Sequence, residues 1–326
     1  MRIEPEGTEF HSVLVLGGSG FIGGHLLAKL AETEWRVIVV TRHYERARHL
    51  IEVPSVDDIV EADVHDDASL HRLVQGHDAV INLVGILHSR PGTPYGPEFA
   101  KAHVELPRRI AQACAAHGVR RLLHMSALGA APDAPSMYLR SKADGERAAR
   151  SQPDVGVTIF RPAVVFGDGD HFLNMFAGLE KFLPLVPLAG ADARFQPIHV
   201  EDVAQAIVNA LLNERTIGKI YELAGPSVYR LRDLVKLAGM YSGHARPVIG
   251  LPESLARLQA MLLEHLPGEP MLTRDNLDSM KVDNVAAAPI DPELGIEPTS
   301  LEAVAPYYLT SQRPVHKGVD TRHMSR

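Results

Sequence analysis

Residues 11–27 read His11-Ser12-Val13-Leu14-Val15-Leu16-Gly17-Gly18-Ser19-Gly20-Phe21-Ile22-Gly23-Gly24-His25-Leu26-Leu27, and this stretch decides the fold. An apolar run of strand type ends at Gly17, a glycine loop follows, and a helical pattern starts near Phe21. Gly18, Gly20 and Gly23 fit G-x-G-x-x-G, while Gly17, Gly20 and Gly23 fit G-x-x-G-x-x-G. Glycine at these points gives a tight turn, close approach of backbone to a pyrophosphate, and close packing of helix on strand. The first helical N–H groups lack partners, and the helix dipole adds partial positive charge there, so the turn suits a phosphate. A strand before the loop and a helix after it are the context in which such glycines bind a dinucleotide.

Working outward, residues 36–41 (RVIVVT) form a buried strand that ends in Thr41-Arg42, with Arg46 and Arg48 behind it. An acidic residue at this point holds a ribose 2′-hydroxyl, whereas arginine accommodates a 2′-phosphate, so the ending favours NADP(H) over NAD(H). Further strands are expected over residues 57–64, 78–85, 121–126, 156–161 and 219–223, the sixth closed by Pro162. Helices are expected over 67–75, 98–117, 138–150, 197–212 (after a strand turn) and 229–239. Alternation of this kind implies an α/β fold, a Rossmann-type doubly wound parallel sheet, with a smaller, mainly helical C-terminal region. The boundaries read as a nucleotide-binding domain over 1–166 with 196–225 returning to it. A substrate or docking region covers 167–195 and 226–311, and a disordered tail covers 312–326. Residues 167–195 read as loops, and 251–266 as an apolar-faced helix belonging to the core or, failing that, to a docking surface.

The 326-residue chain is 45% apolar and carries a net charge of −7, which argues against a nucleic-acid partner. One cysteine, Cys114, excludes internal disulfides and reads as a packing residue. The first residues lack the apolar segment of a signal peptide, and no apolar run approaches the roughly 18 residues of a membrane span. His65, Asp66, Asp67 and His71 match no closed metal-ligand spacing, so no metal is expected.

Two polar sites fall in line with the sheet's carboxyl edge, where ligands of such sheets bind. Ser126 ends the fifth strand, and Tyr138-Leu139-Arg140-Ser141-Lys142 is a Tyr-x-x-x-Lys. Residues four apart share a helix face, so the lysine ammonium is expected to lower the tyrosine pKa and let the phenol exchange a proton.

The glycine loop, Asp63-Val64, the Asn82-to-Gly85 strand end, Tyr138/Lys142 and Arg161-Pro162 together resemble short-chain dehydrogenase/reductases of the extended or atypical kind. More narrowly, YLRSKADGE, FGDGDHFLNMF, QPIHVEDVAQAIVNA, AGPSVYRLRDLVK and MLTRDNLDSMKVDN resemble the nucleotide-binding accessory subunit of respiratory complex I (alpha-subcomplex 9 type) and its bacterial relatives. The resemblance implies NADP(H) with pyrophosphate on Gly17, Gly18, Ser19, Gly20, Phe21, Ile22 and Gly23, and 2′-phosphate by Arg42. It puts adenine by Asp63 and Val64, and Leu83, Val84 and Gly85 along the adenosine side. Tyr138 and Lys142 would reach the nicotinamide ribose, with Pro162 and Val164 beside the ring and Ser126 as the candidate catalytic hydroxyl.

Two positions depart from the pattern. His103 stands at or beside the place of a relay asparagine, and Ala127 follows Ser126 where a second hydroxyl is usual. Three functions are therefore carried forward. The first is an NADP(H)-holding protein of a complex I type of assembly, peripheral on the inner face of the energy-transducing membrane or cytoplasmic. The second is an active oxidoreductase, epimerase or dehydratase on an apolar or quinone-related substrate, as in ubiquinone metabolism. The third is a redox sensor.

Overall fold

The computed structural model describes residues 11–265 and 270–310, so the tail expected over 312–326 lies outside them. Seven parallel strands form the central sheet: β1 Ser12–Leu16, β2 Arg36–Thr41, β3 Val56–Glu61, β4 Ala79–Asn82, β5 Arg121–Met125, β6 Gly156–Pro162 and β7 Ile220–Leu223. Their order is β3-β2-β1-β4-β5-β6-β7, so the chain winds outward to β3 and then crosses back over β1 to β4. That reversal opens a crevice at the carboxyl ends of β1 and β4.

Alternate residues of each strand feed opposite faces. Val13 and Val15 pack with Leu26, Leu27 and Leu30 of helix α1 (Phe21–Leu30). Leu14 and Leu16 pack on the other face with α2 (Asp67–Val74) and α3 (Leu106–Ala116), where Cys114 is fully buried as a packing residue. Both faces are covered, which is why β4 is buried at every position.

The helix expected over 98–117 is not uniform. It widens to a π-turn over Ala100–Glu105 before α3 begins. Pro107 lies four residues beyond His103 and has no N–H to give the His103 carbonyl, so the regular ladder breaks there. The next helix, α4 (Met137–Ala149), presses against this break. A Cβ on Gly145 would stand 2.1 Å from the His103 carbonyl oxygen.

The C-terminal region has its own apolar cluster, built from Phe166, α5 (Phe172–Phe182), Val186, Leu188, Ala191 and two later helices, while α6 (Val200–Leu212) covers the sheet; those later helices are α7 (Leu231–Ser242) and the terminal helix Leu301–Leu309. Two expectations fail here. Residues 167–195 are not all loop, since α5 occupies their centre with Leu173 and Phe176 buried. Tyr229 and Arg230 form a short antiparallel pairing with Arg194–Phe195, and the helix begins only at Leu231. The expectation of a core helix over 251–266 is also corrected. In α8 (Glu253–Leu263) only Ala256 and Ala260 are buried, and Leu255, Leu258, Met261 and Leu262 face outward. Small residues meet the protein, and large apolar ones are left over.

Gly145→Ala forces α4 off the His103 carbonyl and is expected to cost about 2 kcal/mol or more. Gly24→Ala, in α1 with nothing within 4 Å of the added methyl, is expected to be neutral or stabilising by up to about 1 kcal/mol. Thermal denaturation of both checks the contrast, and equal melting temperatures would refute the close helix crossing.

Candidate functional site

At the crevice, Gly17 takes φ +84°, and a Cβ there would lie 3.1 Å from the Leu83 carbonyl carbon and 3.2 Å from the Val84 nitrogen. The end of β1 and the end of β4 thus touch through backbone alone. A Cβ on Gly23 would fall 2.4 Å from the Gly18 carbonyl oxygen, so the loop folds back onto α1 only without a side chain. Gly20 caps α1, no side chain satisfies the cap, and the first turn holds no acid. Ser19 is exposed and Phe21 and Ile22 are half-buried, which leaves an open backbone cradle with positive polarity.

Arg42 follows β2 and is exposed, with no ion pair among the described residues. The nearby acid, Glu61, is engaged elsewhere: its carboxylate accepts the Tyr44 N–H at 2.5 Å. Asp63 accepts the His65 N–H at 2.9 Å, and Val64 is buried. His65 is held below its ordinary value by burial first, then by the charge of Lys101 and, more weakly, of Arg109 and Arg42, against the opposing effect of Asp63. This corner is basic.

The candidate metal cluster is dispersed by ordinary contacts. Asp66 caps α2 through the Ser69 N–H, Asp67 pairs with Arg109, and His71 meets His117.

Lys142 lies almost fully buried at the other end of the crevice. Its ammonium donates to the Met125 carbonyl at 3.2 Å, and a Cβ on Gly85 would come within 3.2 Å of Nζ. Glycine at 85 therefore keeps open the approach to the ammonium. Tyr138 sits one turn away on the same helix, its ring centroid 5.9 Å from Nζ. The expected lowering of its pKa is not found. Burial pushes the phenol up to about 12, while Lys142 Nζ lies over the ring and donates to the Met125 carbonyl.

The Ser126 hydroxyl is engaged within the structure. Its Oγ donates to Glu146 at 2.5 Å, and Glu146 takes two further hydrogen bonds at 2.7 Å from Arg161. A buried carboxylate needs such donors, and the serine supplies one. The neighbour that shares an apolar cluster with Tyr138 is Ala127, which has no hydroxyl to offer.

His103 is committed on both sides. Its Nε2 accepts the Ile86 N–H at 3.1 Å, and its Nδ1 donates to Ser141 Oγ at 2.8 Å, which in turn donates to the Tyr138 carbonyl. Burial and Lys142 hold it neutral, far below the ordinary histidine value. His124, which sequence reasoning passed over, accepts from Asn82 Nδ2 at 3.1 Å, while its Nε2 has no partner among the described residues. Its pKa falls to about 3, again through burial and then Lys142. Pro162 and Val164 follow at the end of β6; the Pro162 carbonyl accepts the Leu128 N–H at 2.9 Å, and Val164 donates to Asn284 Oδ1 at 2.8 Å.

Residues 13–224 match the model of the NAD dependent epimerase/dehydratase family. The chain belongs to that family. It is 35% identical over 297 residues to the rat (Rattus norvegicus) mitochondrial NADH dehydrogenase [ubiquinone] 1 alpha subcomplex subunit 9, covering 88% of this chain and 77% of that protein. It is 32% identical over 197 residues to a ceramide reductase of Caulobacter vibrioides, covering 60% of this chain and 59% of that protein. Among solved structures, MoeE5 in complex with UDP-glucuronic acid and NAD superposes with a TM-score of 0.63 at 22% identity, over 74% of this chain and 85% of that one. The parallel sheet and its glycine crevice are thus those of a nicotinamide-dinucleotide-binding fold with complex I subunits among its homologues.

Burial lowers Lys142 to about 8 from its ordinary 10.5. Below pH 8 the lysine is charged whether folded or not, and its burial costs stability in full. As pH rises from 8 toward 10.5 the folded chain releases the proton first, and that cost is relieved. Wild-type protein is therefore expected to gain melting temperature relative to Lys142→Met between about pH 7 and about pH 10. A difference that stays flat would mean that the ammonium is solvated.

Proposed function

We propose that this protein holds NADP(H) as a resident ligand and serves a complex I type of assembly in a structural, assembly or redox-sensing role. The carrying observation is an asymmetry. The groups that would grip a dinucleotide are free to do so, while those that would move protons are tied up or replaced. The glycine cradle is uncapped, Arg42 is unpaired among the described residues, and only Met125 takes a hydrogen bond from Lys142. His103 has no ring nitrogen to spare, Ser126 serves Glu146, and Ala127 lies beside Tyr138.

The fit to the ligand is local. Gly17, Gly20 and Gly23 would face the pyrophosphate, Arg42 the 2′-phosphate, Asp63 and Val64 the adenine, and Lys142 the nicotinamide ribose. Arg42 and the cations around His65 favour NADP(H) over NAD(H). A ligand at about a thousand times its dissociation constant adds roughly 4 kcal/mol to stability, enough for a purely structural role. A bound nicotinamide would itself supply hydride exchange.

The outward Leu255, Leu258, Met261 and Leu262 of α8 supply a surface for the assembly, and among the described residues no helix is long and apolar enough to cross a membrane. A peripheral place on the inner face of the energy-transducing membrane follows from this reading.

A second reading is favoured by one observation: Tyr138 and Lys142 both stand at the crevice on one helix face. It makes the protein a reductase, epimerase or dehydratase acting on an apolar or quinone-related substrate, and the similarity to a protein named ceramide reductase is compatible with it.

Protein purified without added nucleotide and then denatured is expected to release NADP(H) in near-stoichiometric amount, identified by mass. An empty site that binds and releases NADPH freely would shift the assignment to the enzyme. Arg42→Asp is expected to weaken NADPH by about a hundredfold, from loss of a charge pair and gain of repulsion, and to leave NADH within a few-fold. An unchanged preference would discard the 2′-phosphate role. Tyr138→Phe is expected to leave nucleotide retention unchanged; loss of a measurable turnover in that variant would establish the second reading.

A further inference from the structure

The string MLTRDNLDSMKVDN, residues 271–284, runs along the carboxyl edge where the ligand would lie. A short helix, α9 (Arg274–Ser279), is fixed by a capping box between Thr273 and Asn276. From it Asp275 reaches back to the start of α4 and accepts the N–H groups of Met137 at 2.6 Å and Tyr138 at 3.0 Å. The chain then passes Gly129, just beyond β5, where Val282 is in van der Waals range of an added Cβ at 3.9 Å. Asn284 next accepts the Val164 N–H beyond β6, and Ala287 donates to Glu222 of β7 at 2.9 Å. The segment thus crosses the ends of three neighbouring strands, held by side-chain to backbone hydrogen bonds at each side.

We infer that residues 273–287 form a strap over the nicotinamide end of the crevice, with Asp275 as the positioning residue of Tyr138, and that this strap sets how slowly the dinucleotide leaves. The inference rests on the nucleotide-holding reading. Its geometry is specific: the two anchors, Asp275 and Asn284, hold the N–H groups of Tyr138, which would reach the nicotinamide ribose, and of Val164, which would lie beside the ring. A carboxylate on two N–H groups at a helix start is also the stronger kind of hydrogen bond, reinforced by the dipole of α4. The adenosine end, at Arg42 and Asp63, has no contact with the strap among the described residues.

The test is a chase experiment on the full chain. Protein loaded with NADPH is mixed with excess NADP⁺, and loss of bound NADPH fluorescence gives the release rate. Asp275→Ala is expected to release NADPH about tenfold faster or more, the size of a lost charge-assisted interaction. Its affinity for adenosine 2′,5′-bisphosphate, which lacks the nicotinamide half, is expected to stay within twofold of wild type, roughly the noise of such contacts. Asp275→Glu should recover part of the slow release. Asn284→Ala, which cuts the other anchor, should behave like Asp275→Ala and keeps the test open if the first variant does not fold. Unchanged NADPH release in both variants overturns the strap. Parallel weakening of NADPH and of the bisphosphate also overturns it, because that is general loosening. Failure of wild-type protein to bind NADPH at all overturns the nucleotide reading itself, and the strap with it.

Discussion

An ammonium with almost no exposed surface has to be surrounded by groups that tolerate it, and much of this site follows from placing Lys142 at the end of β5. Its desolvation is offset by the Met125 carbonyl and, one helical turn on, by the Glu146 carboxylate. Glu146 in turn draws in Arg161 and Ser126, which fixes β6 to α4. Two buried histidines stand within electrostatic reach of the same charge, and both are neutral, because a second cation there would be repelled and unsolvated. Gly85 leaves the remaining approach free of side chain. The lysine's surroundings thus set both the packing of α4 and the chemistry that α4 can offer.

The nucleotide half of the fold was legible because its signals are local. A strand, a glycine turn and a helix within twenty residues carry their own geometry, and β2, β5 and α4 fell within a residue or two of expectation. The Tyr-x-x-x-Lys placed both side chains correctly on one face. The proton affinity of the tyrosine was not legible, since it depends on how deeply the phenol is buried and not on spacing. The Glu146 partner of Ser126 was not legible either: a serine at the end of a strand at the ligand edge says nothing about which neighbour its hydroxyl finds. The break at His103 had a readable signal in Pro107, four residues on. Helix α5 was hidden by its composition, with three phenylalanines and a glycine in eleven residues. Asp275 could not have been found from spacing, because 137 residues separate it from the N–H it caps.

The two halves of the molecule are therefore joined in an uneven way. The sheet presents a cradle built from backbone, insensitive to most side-chain change except at its glycines. The C-terminal region contributes side chains, and it places them at the end of the crevice where a reaction or a signal would originate. Ion pairs continue outward from the same segment: Arg257 of α8 meets Asp278, and Glu264 meets Arg274. The exposed apolar face of α8 and the segment crossing the strand ends are thus joined by two ion pairs.

Sequence order adds a temporal side to this arrangement. The glycine loop, β4 and Lys142 all lie within the first 142 residues, whereas the segment that crosses the strand ends comes from residues 273–287. On a growing chain these elements emerge before the segment that crosses the strand ends, since amino-terminal elements are made first. Residues 273–287 are made after all of these elements. A dinucleotide loaded before that segment is in place would have a fast way into a site that the strap then makes slow to leave.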